Sequence, residues 1–259
     1  MSALHGSLIW YELMTTDPDG AKAFYEPITG WTIAPMGGAH GDYRSISSPD
    51  SALAGLLPLN QHMLDHGAKP TWLMYIGVDD VDATAAAIEA EGGKVWLAPA
   101  DIPGIGRFAM LADPQGAPFY IMTPIPPEGG GESRAFSSTL LGHCTWNELR
   151  AADLDPAVDF YRKIFGWEHA GTMSMGPMGD YKFLKHEEDR LGAAMGGATA
   201  EQPPHWLHYF RVAHVDAALE KVKAGGGQVL NGPHEVPGGD RVAICRDPQG
   251  AGVGFVARP

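Results

Sequence analysis

Two glutamates in matching surroundings are the strongest candidates for chemistry in this sequence. Glu12 lies in W-Y-E-L at residues 10–13, and Glu148 lies in W-N-E-L at residues 146–149. Both segments are typical of buried strands, where a charged carboxylate is costly unless it is paired or hydrogen-bonded. Such a carboxylate could anchor the sheet to a neighbouring polar group, bind a ligand, act as a general base or ligate a metal ion.

These glutamates belong to a repeat that runs through the chain. The W-x-E-L pattern recurs after 136 residues, G-D-Y after 138 and D-P-Q-G-A after 134. A stretch rich in proline and glycine at residues 123–134 indicates a linker between two copies. We therefore predict a first domain at residues 1–124, a linker at 125–138 and a second domain at 139–259.

The strands and helices that position the glutamates can be located from periodicity. Residues 8–14 alternate as a strand that carries Glu12. Asp17 is the predicted N-cap of a short helix that ends at Gly30. Short β-like segments follow, and the same order restarts near Trp72. Each copy is itself doubled, so we predict an α+β protein with four βαβββ modules in tandem.

Aromatic side chains are predicted beside each glutamate. Alternation places Trp10 on the face of Glu12, and Trp146 on the face of Glu148. Tyrosines of nearby strands add to an apolar lining that is typical of a pocket for a small organic ligand. Packing of the core is the alternative role of these rings. The predicted ligand-binding residues are Trp10, Tyr75, Tyr120, Trp146, Arg150, Tyr209 and Arg211.

Two arginines distinguish the second copy from the first. Arg150 and Arg211 fall on the predicted inner face of the second copy, where the first copy has Met14 and Gly77. Guanidinium groups bind carboxylates and phosphates through paired hydrogen bonds. If both side chains point inward, the second copy would accept an anionic ligand.

The order of these motifs resembles the vicinal oxygen chelate superfamily, which includes glyoxalases, bleomycin resistance proteins and extradiol dioxygenases. The resemblance is carried by the D-x-x-x-A-x-x-F-Y run that ends in G-W, by V-D-D-V-D-A and V-A-H-V-D-A, and by the D-P-Q-G turns. It covers essentially the whole chain, and in detail it is similar to the subgroup with two such domains and W-x-E-L on the opening strand. The resemblance implies two curved mixed sheets with flanking helices, each sheet forming a cup.

The resemblance also implies where a metal ion would bind. Enzymes of the superfamily hold a divalent ion through His, Glu or Gln side chains that point into the cup, and the usual ligands are missing from the corresponding positions here. We therefore expect no metal cofactor; the alternative is an ion such as Zn, Ni, Fe or Mn held by Glu12 and Glu148. The implied ligand positions are Trp10 and Trp146, Leu73 and Leu207, and Tyr120 and Gly254.

The histidines do not form a ligand set in the sequence. His208 alternates out of phase with Leu207 and Tyr209, so we predict a structural residue that faces the helix layer. Seven further histidines have no mutual H-x-x-x-H spacing and are predicted to lie in loops or on the surface. They are His5, His40, His143, His169, His186, His214 and His234.

Composition excludes several classes of protein. The formal net charge of −13 argues against binding to nucleic acid and to anionic membranes. No apolar run approaches the ~20 residues of a membrane span, and no signal peptide is recognisable, so a cytoplasmic protein is expected. Cys144 and Cys245 have no metal or disulfide spacing and are expected to be reduced and buried. P-loop, dinucleotide and G-x-S-x-G signatures are absent from the sequence.

Three functions are compatible with these features. The first is binding of a small organic molecule in a sheet-lined cavity without metal. The second is a metal-dependent lyase, isomerase or dioxygenase of the same superfamily, with Glu12 and Glu148 as catalytic residues; it would be a glyoxalase-like lyase or an extradiol-type dioxygenase. The third is a scaffold for protein interactions. The expected assembly is a monomer or a homodimer.

Overall fold

The computed structural model describes residues 2, 4–38, 41–125 and 133–258, and it confirms the α+β class. None of the helices in these ranges is long and apolar enough to cross a membrane. The helices are α1 (Pro18–Thr29), α2 (Gln61–Asp65), α3 (Val81–Ala90), α4 (Leu154–Phe165) and α5 (Val215–Ala224). The strands of the first copy are β1 (Leu8–Thr15), β2 (Thr32–Pro35), β3 (Arg44–Ser47), β4 (Ala52–Pro58), β5 (Thr71–Gly77), β6 (Lys94–Ile102), β7 (Gly106–Ala112) and β8 (Pro118–Pro124). Those of the second are β9 (Cys144–Arg150), β10 (Glu168–Ser174), β11 (Asp180–His186), β12 (Asp189–Met195), β13 (His205–Arg211), β14 (Gln228–Glu235), β15 (Arg241–Arg246) and β16 (Gly252–Ala257).

The strands form two eight-stranded sheets of matching topology. The orders are β2-β3-β4-β1-β5-β8-β7-β6 and β10-β11-β12-β9-β13-β16-β15-β14. Both sheets are mixed, because β1 runs parallel to β4 while β3 runs antiparallel to β4, and β9, β12 and β11 repeat this pattern. The identical orders confirm the prediction that βαβββ modules are duplicated in tandem.

The first helix forms where the sequence predicts it. The side chain of Asp17 accepts a hydrogen bond from the backbone N–H of Gly20 at 2.9 Å, and Pro18 occupies the first helical position. Gly30 ends the helix in the left-handed conformation with φ of 76°. The short helix α2 was not predicted, because it buries none of its side chains and therefore leaves no apolar periodicity.

Contacts divide the chain into two compact units, each of which combines segments from both copies. Unit I consists of Met1–Ile9, Met74–Ser133 and Trp146–Trp206. Unit II consists of Trp10–Leu73, Arg134–Thr145 and Leu207–Pro259. The predicted domain bounds therefore remain a prediction, and residues 126–132 of the predicted linker lie outside the described residues.

The core of unit II contains a hydrogen-bonded group of three side chains. The hydroxyl of Tyr25 donates to Oδ2 of Asp247 and accepts from Nε1 of Trp72, each at 3.0 Å. Oδ1 of Asp247 accepts from the backbone N–H groups of Gly250 and Ala251, each at 2.8 Å. Helix α1 is thereby joined to the D-P-Q-G turn of the other copy. Burial raises the pKa of the Asp247 carboxyl and, more strongly, that of the Tyr25 hydroxyl.

Unit I contains the same group built from the matching residues. The hydroxyl of Tyr161 donates to Oδ2 of Asp113 at 3.1 Å and accepts from Nε1 of Trp206 at 2.8 Å. Burial raises the pKa of Asp113 as well. The F-Y and D-P-Q-G motifs that reveal the repeat in the sequence therefore meet in each unit.

Replacing Asp247 by Asn should destabilise the protein. The Asn oxygen would still accept hydrogen bonds from the backbone N–H groups of the turn. The amide N–H₂ would then face the Tyr25 hydroxyl, whose proton would have no acceptor. We expect a loss of about 1–3 kcal/mol in the free energy of unfolding, measured by urea denaturation. The raised pKa adds a pH dependence. The protonated carboxyl is favoured in the folded state, so the stabilisation is complete at low pH and falls as pH rises through the folded pKa.

The wild-type advantage over Asp247→Asn should thus be larger at pH 4 than at pH 7. Asp113→Asn is the matched variant in unit I and should behave alike. Variants as stable as the wild type at pH 4 would contradict this account of the two cores.

Candidate functional site

In the first copy, Glu12 belongs to a second type of hydrogen-bonded group. It accepts a hydrogen bond from the hydroxyl of Tyr43, which itself accepts from Nε1 of Trp10 at 3.3 Å. Gly55 lies opposite Glu12 on β4, and a Cβ atom there would be 1.7 Å from the Tyr43 hydroxyl. The glycine is therefore what allows the phenol to lie over this strand. Glu12 is only 3% exposed.

The second copy repeats the arrangement around Glu148. Nε1 of Trp146 donates to the Tyr181 hydroxyl at 2.8 Å, and this hydroxyl donates to Oε2 of Glu148 at 2.8 Å. The residue opposite Glu148 is Ala193, where the first copy has a glycine. Glu148 is partly exposed, unlike its buried counterpart.

The electrostatics of the first group keep its phenol neutral. Burial, followed by the charge of Glu12, raises the pKa of Tyr43 well above its ordinary value. The hydroxyl is therefore a hydrogen-bond donor at all physiological pH values. A carboxylate held in one orientation by a neutral donor can accept a hydrogen bond from a ligand or take a proton from it.

Sequence reasoning did not recognise Tyr43 and Tyr181 as members of these groups. The G-D-Y motif served only as a marker of the repeat. The available signal was its recurrence together with W-x-E-L, since a buried carboxylate, a phenol and an indole N–H satisfy one another as acceptor and donors.

The structure brings Tyr75 and Tyr120 together. They lie opposite each other on β5 and β8, and their rings stack with centroids 4.3 Å apart and planes 11° apart. Both are buried. The residue that pairs with Tyr120 is therefore Tyr75 and not Leu73, the implied ligand position two residues earlier on β5. In the second copy, Tyr209 lies opposite Gly254, and a Cβ atom there would be 2.2 Å from its ring.

The two arginines have different surroundings. Arg211 is 6% exposed and forms an ion pair with Asp240 at 2.8 Å, so its charge is balanced within unit II. Arg150 is partly exposed, and its Nη1 donates to the backbone carbonyl of Gly196 at 3.2 Å. Of the two, Arg150 is the better placed to receive an anion.

Two histidine predictions have different outcomes. His208 is fully buried, and its ring packs edge-on against Tyr11 with centroids 5.2 Å apart, in accord with a structural role. The surface prediction is wrong for His143, which is also fully buried. Its Nε2 lies 3.0 Å from the Ser48 hydroxyl, and burial lowers its pKa. Spacing along the chain misses this residue because Ser48 is 95 positions away. His40 lies outside the described residues.

The donor chemistry at the implied ligand positions does not fit a divalent metal ion. Indoles and aliphatic side chains have no suitable lone pair, and the phenol of Tyr120 is committed to a buried stack. Across the ranges that the structure describes, no cluster of three or more His, Cys, Asp or Glu side chains is arranged to hold a metal ion.

A family model described as "Glyoxalase/Bleomycin resistance protein/Dioxygenase superfamily" matches residues 7–121 and 140–255. The chain therefore belongs to this superfamily, as the motifs indicated. The separate match to each half is consistent with the duplicated sheets.

Three similar proteins carry informative names. The chain is 34% identical over 251 residues to "Putative glyoxylase CFP32" of Mycobacterium tuberculosis, covering 95% of this chain and 92% of that protein. It is 31% identical over 266 residues to "Anthracycline biosynthesis protein DauV" of Streptomyces sp. strain C5, covering 97% and 93%. The fold resembles the Mn(II)-bound glyoxalase from Novosphingobium aromaticivorans, with a TM-score of 0.67, 18% identity, and coverage of 97% of this chain and 82% of that chain.

Removing the phenol hydroxyl should lower the free energy of unfolding by different amounts in the two copies. Tyr43→Phe leaves the buried Glu12 and the Trp10 indole without that partner, so we expect a loss of about 1–3 kcal/mol in the free energy of unfolding. Tyr181→Phe should cost less, about 1 kcal/mol, because water can reach the partly exposed Glu148.

Urea denaturation at pH 7 measures both losses, and unchanged m values would show that the unfolding transitions are comparable. A larger loss for Tyr181→Phe than for Tyr43→Phe would contradict the burial difference between the two glutamates.

Proposed function

We propose that this chain binds a small organic molecule at its Trp–Tyr–Glu groups, and that the binding does not depend on a metal ion. The observation that carries the proposal is the carboxylate of Glu148, which is held by the Tyr181 hydroxyl at 2.8 Å and is still partly exposed. A preoriented acceptor of this kind binds a hydroxyl or amine group of a ligand with little loss of side-chain entropy.

The surroundings of Glu148 support an apolar ligand. Tyr181 packs in a cluster with three partly buried residues, Trp146, Phe183 and Met173. Pockets for small molecules are mostly apolar with a few placed polar groups, and this combination is present here. Anthracyclines are polycyclic aromatic compounds, so the name of the Streptomyces relative is in keeping with an aromatic ligand.

A metal-dependent lyase of the glyoxalase type is the second candidate function. The names of the mycobacterial relative and of the Mn(II)-bound structural neighbour favour it. The donor chemistry at the implied ligand positions argues against it, and among the described residues neither glutamate belongs to a group of three or more His, Cys, Asp or Glu side chains that could hold a metal ion. One scaffold hosts many chemistries, so the residues of the site are the better guide.

Metal analysis discriminates between the two functions. Protein purified without added metal should contain clearly less than one equivalent of Mn, Fe, Ni or Zn by elemental analysis. Addition of these ions should leave Tm unchanged, because an ion that bound the folded state would raise it. One tightly held equivalent, together with a metal-dependent rise in Tm that Glu148→Gln abolishes, would favour the lyase.

The role of Glu148 can be tested with a neutral phenol, 4-hydroxybenzamide. We expect isothermal titration calorimetry to detect binding, and Glu148→Gln to weaken it by about three- to tenfold, because a hydrogen bond to a charged acceptor is roughly twice as strong as one to a neutral acceptor. Glu220→Gln is the matched control, since that side chain is 76% exposed on α5. Equal weakening by both variants would speak against the proposed site.

A further inference from the structure

We infer that the second copy is the ligand-binding copy, and that its ligand is a planar aromatic anion that also carries a hydroxyl group. This inference rests on the proposed function and adds the ligand class and the copy that binds it. It is carried by one sheet face, here called the Glu148 face, which is the side of β9 to β12 that carries Trp146, Glu148 and Arg150.

Strand register determines which other residues belong to the Glu148 face. Ala193 lies opposite Glu148, and Met195 lies opposite Arg150. Phe183 in turn lies opposite Ala193, and Tyr181 lies opposite Met195. Residues directly opposite each other share a sheet face, so one continuous surface combines a carboxylate, a guanidinium group and aromatic rings.

The first copy lacks the features that would recognise an anion. Met14 replaces Arg150 and is 3% exposed, and Ser45 lies opposite Gly55 where the second copy has Phe183 opposite Ala193. The corresponding surface of the first copy thus has neither the guanidinium group nor the second aromatic ring. The two copies keep the same Trp–Tyr–Glu group and differ in what surrounds it.

Access to the carboxylate also differs between the copies. The Tyr43 phenol lies against Gly55, and Glu12 is buried at 3% exposure. In the second copy the matching position is Ala193, which packs in one cluster with Tyr181. Glu148 is partly exposed there, whereas Glu12 is buried.

Charge on the Glu148 face favours an anion with a separate hydroxyl group. The guanidinium group of Arg190 lies 5.1 Å from the centre of the Phe183 ring, and Arg150 adds a second positive charge two residues along β9 from Glu148. Glu148 and Arg150 are two residues apart on β9, so their Cα atoms are about 7 Å apart. A spacing of this order suits the hydroxyl and carboxylate groups of a para-substituted benzene ring, and the partly buried rings of Phe183 and Trp146 belong to the same face.

The test compares 4-hydroxybenzoate with the neutral 4-hydroxybenzamide by isothermal titration calorimetry on the full chain. We expect one 4-hydroxybenzoate per chain, bound about tenfold or more tightly than the amide. Arg150→Met, which reproduces the residue of the first copy, should abolish this preference for the anion, because the charged benzoate loses more affinity than the neutral amide. Arg162→Met is the matched control, because that arginine is half exposed on α4 and pairs with Asp159.

The outcomes distinguish this inference from the proposed function. If the amide binds in a Glu148-dependent way and the benzoate binds no more tightly, the anion inference fails and the proposed function stands. Two equivalents of benzoate per chain, or a preference for the anion that survives Arg150→Met, would likewise overturn the inference. Absence of binding for both compounds at millimolar concentration would overturn both proposals. Urea denaturation of each variant verifies that a lost preference is not caused by unfolding.

Discussion

A carboxylate that folding removes from water needs a hydrogen-bond donor, and the described residues meet that need four times with the same combination of side chains. In each case a tyrosine hydroxyl donates to the carboxylate and accepts a hydrogen bond from a tryptophan indole, so the phenol provides one partner for each of its two polar neighbours. Both units and both copies depend on it. The four groups are Trp72, Tyr25 and Asp247; Trp206, Tyr161 and Asp113; Trp10, Tyr43 and Glu12; and Trp146, Tyr181 and Glu148.

The four groups divide into two kinds by the position of the carboxylate. Asp113 and Asp247 lie in turns, where one oxygen also accepts backbone N–H groups, so these carboxylates hold a turn against a helix. Glu12 and Glu148 lie on strands and project from a sheet face instead. Only Glu148 is partly exposed, and it is therefore the one carboxylate of the four that combines a fixed orientation with access to solvent.

Because the chain is duplicated, the same Trp–Tyr–Glu group occurs twice and can have a different function in each copy. The two copies keep the fold-defining motifs, whereas single residues beside the glutamates differ: Met14 corresponds to Arg150, and Gly55 corresponds to Ala193. The methyl group of Ala193 occupies space that the Tyr43 phenol fills beside Gly55 in the first copy. The guanidinium group of Arg150 adds a positive charge that Met14 lacks. Membership of the superfamily fixes the scaffold, while these neighbouring residues determine which ligand chemistry each copy favours.

The sequence by itself determined the repeat, the α+β class, the helix cap at Asp17 and the two glutamates, because periodicity, capping and motif spacing act over a few neighbouring residues. Only the tertiary structure decided that Tyr181 holds Glu148, 33 residues away, and that Asp240 neutralises Arg211, 29 residues away. Such pairings depend on strand register and on how loops return to the sheet, and neither leaves a local pattern in the chain. The buried His143 escaped prediction for the same reason, since its partner Ser48 lies in the other copy.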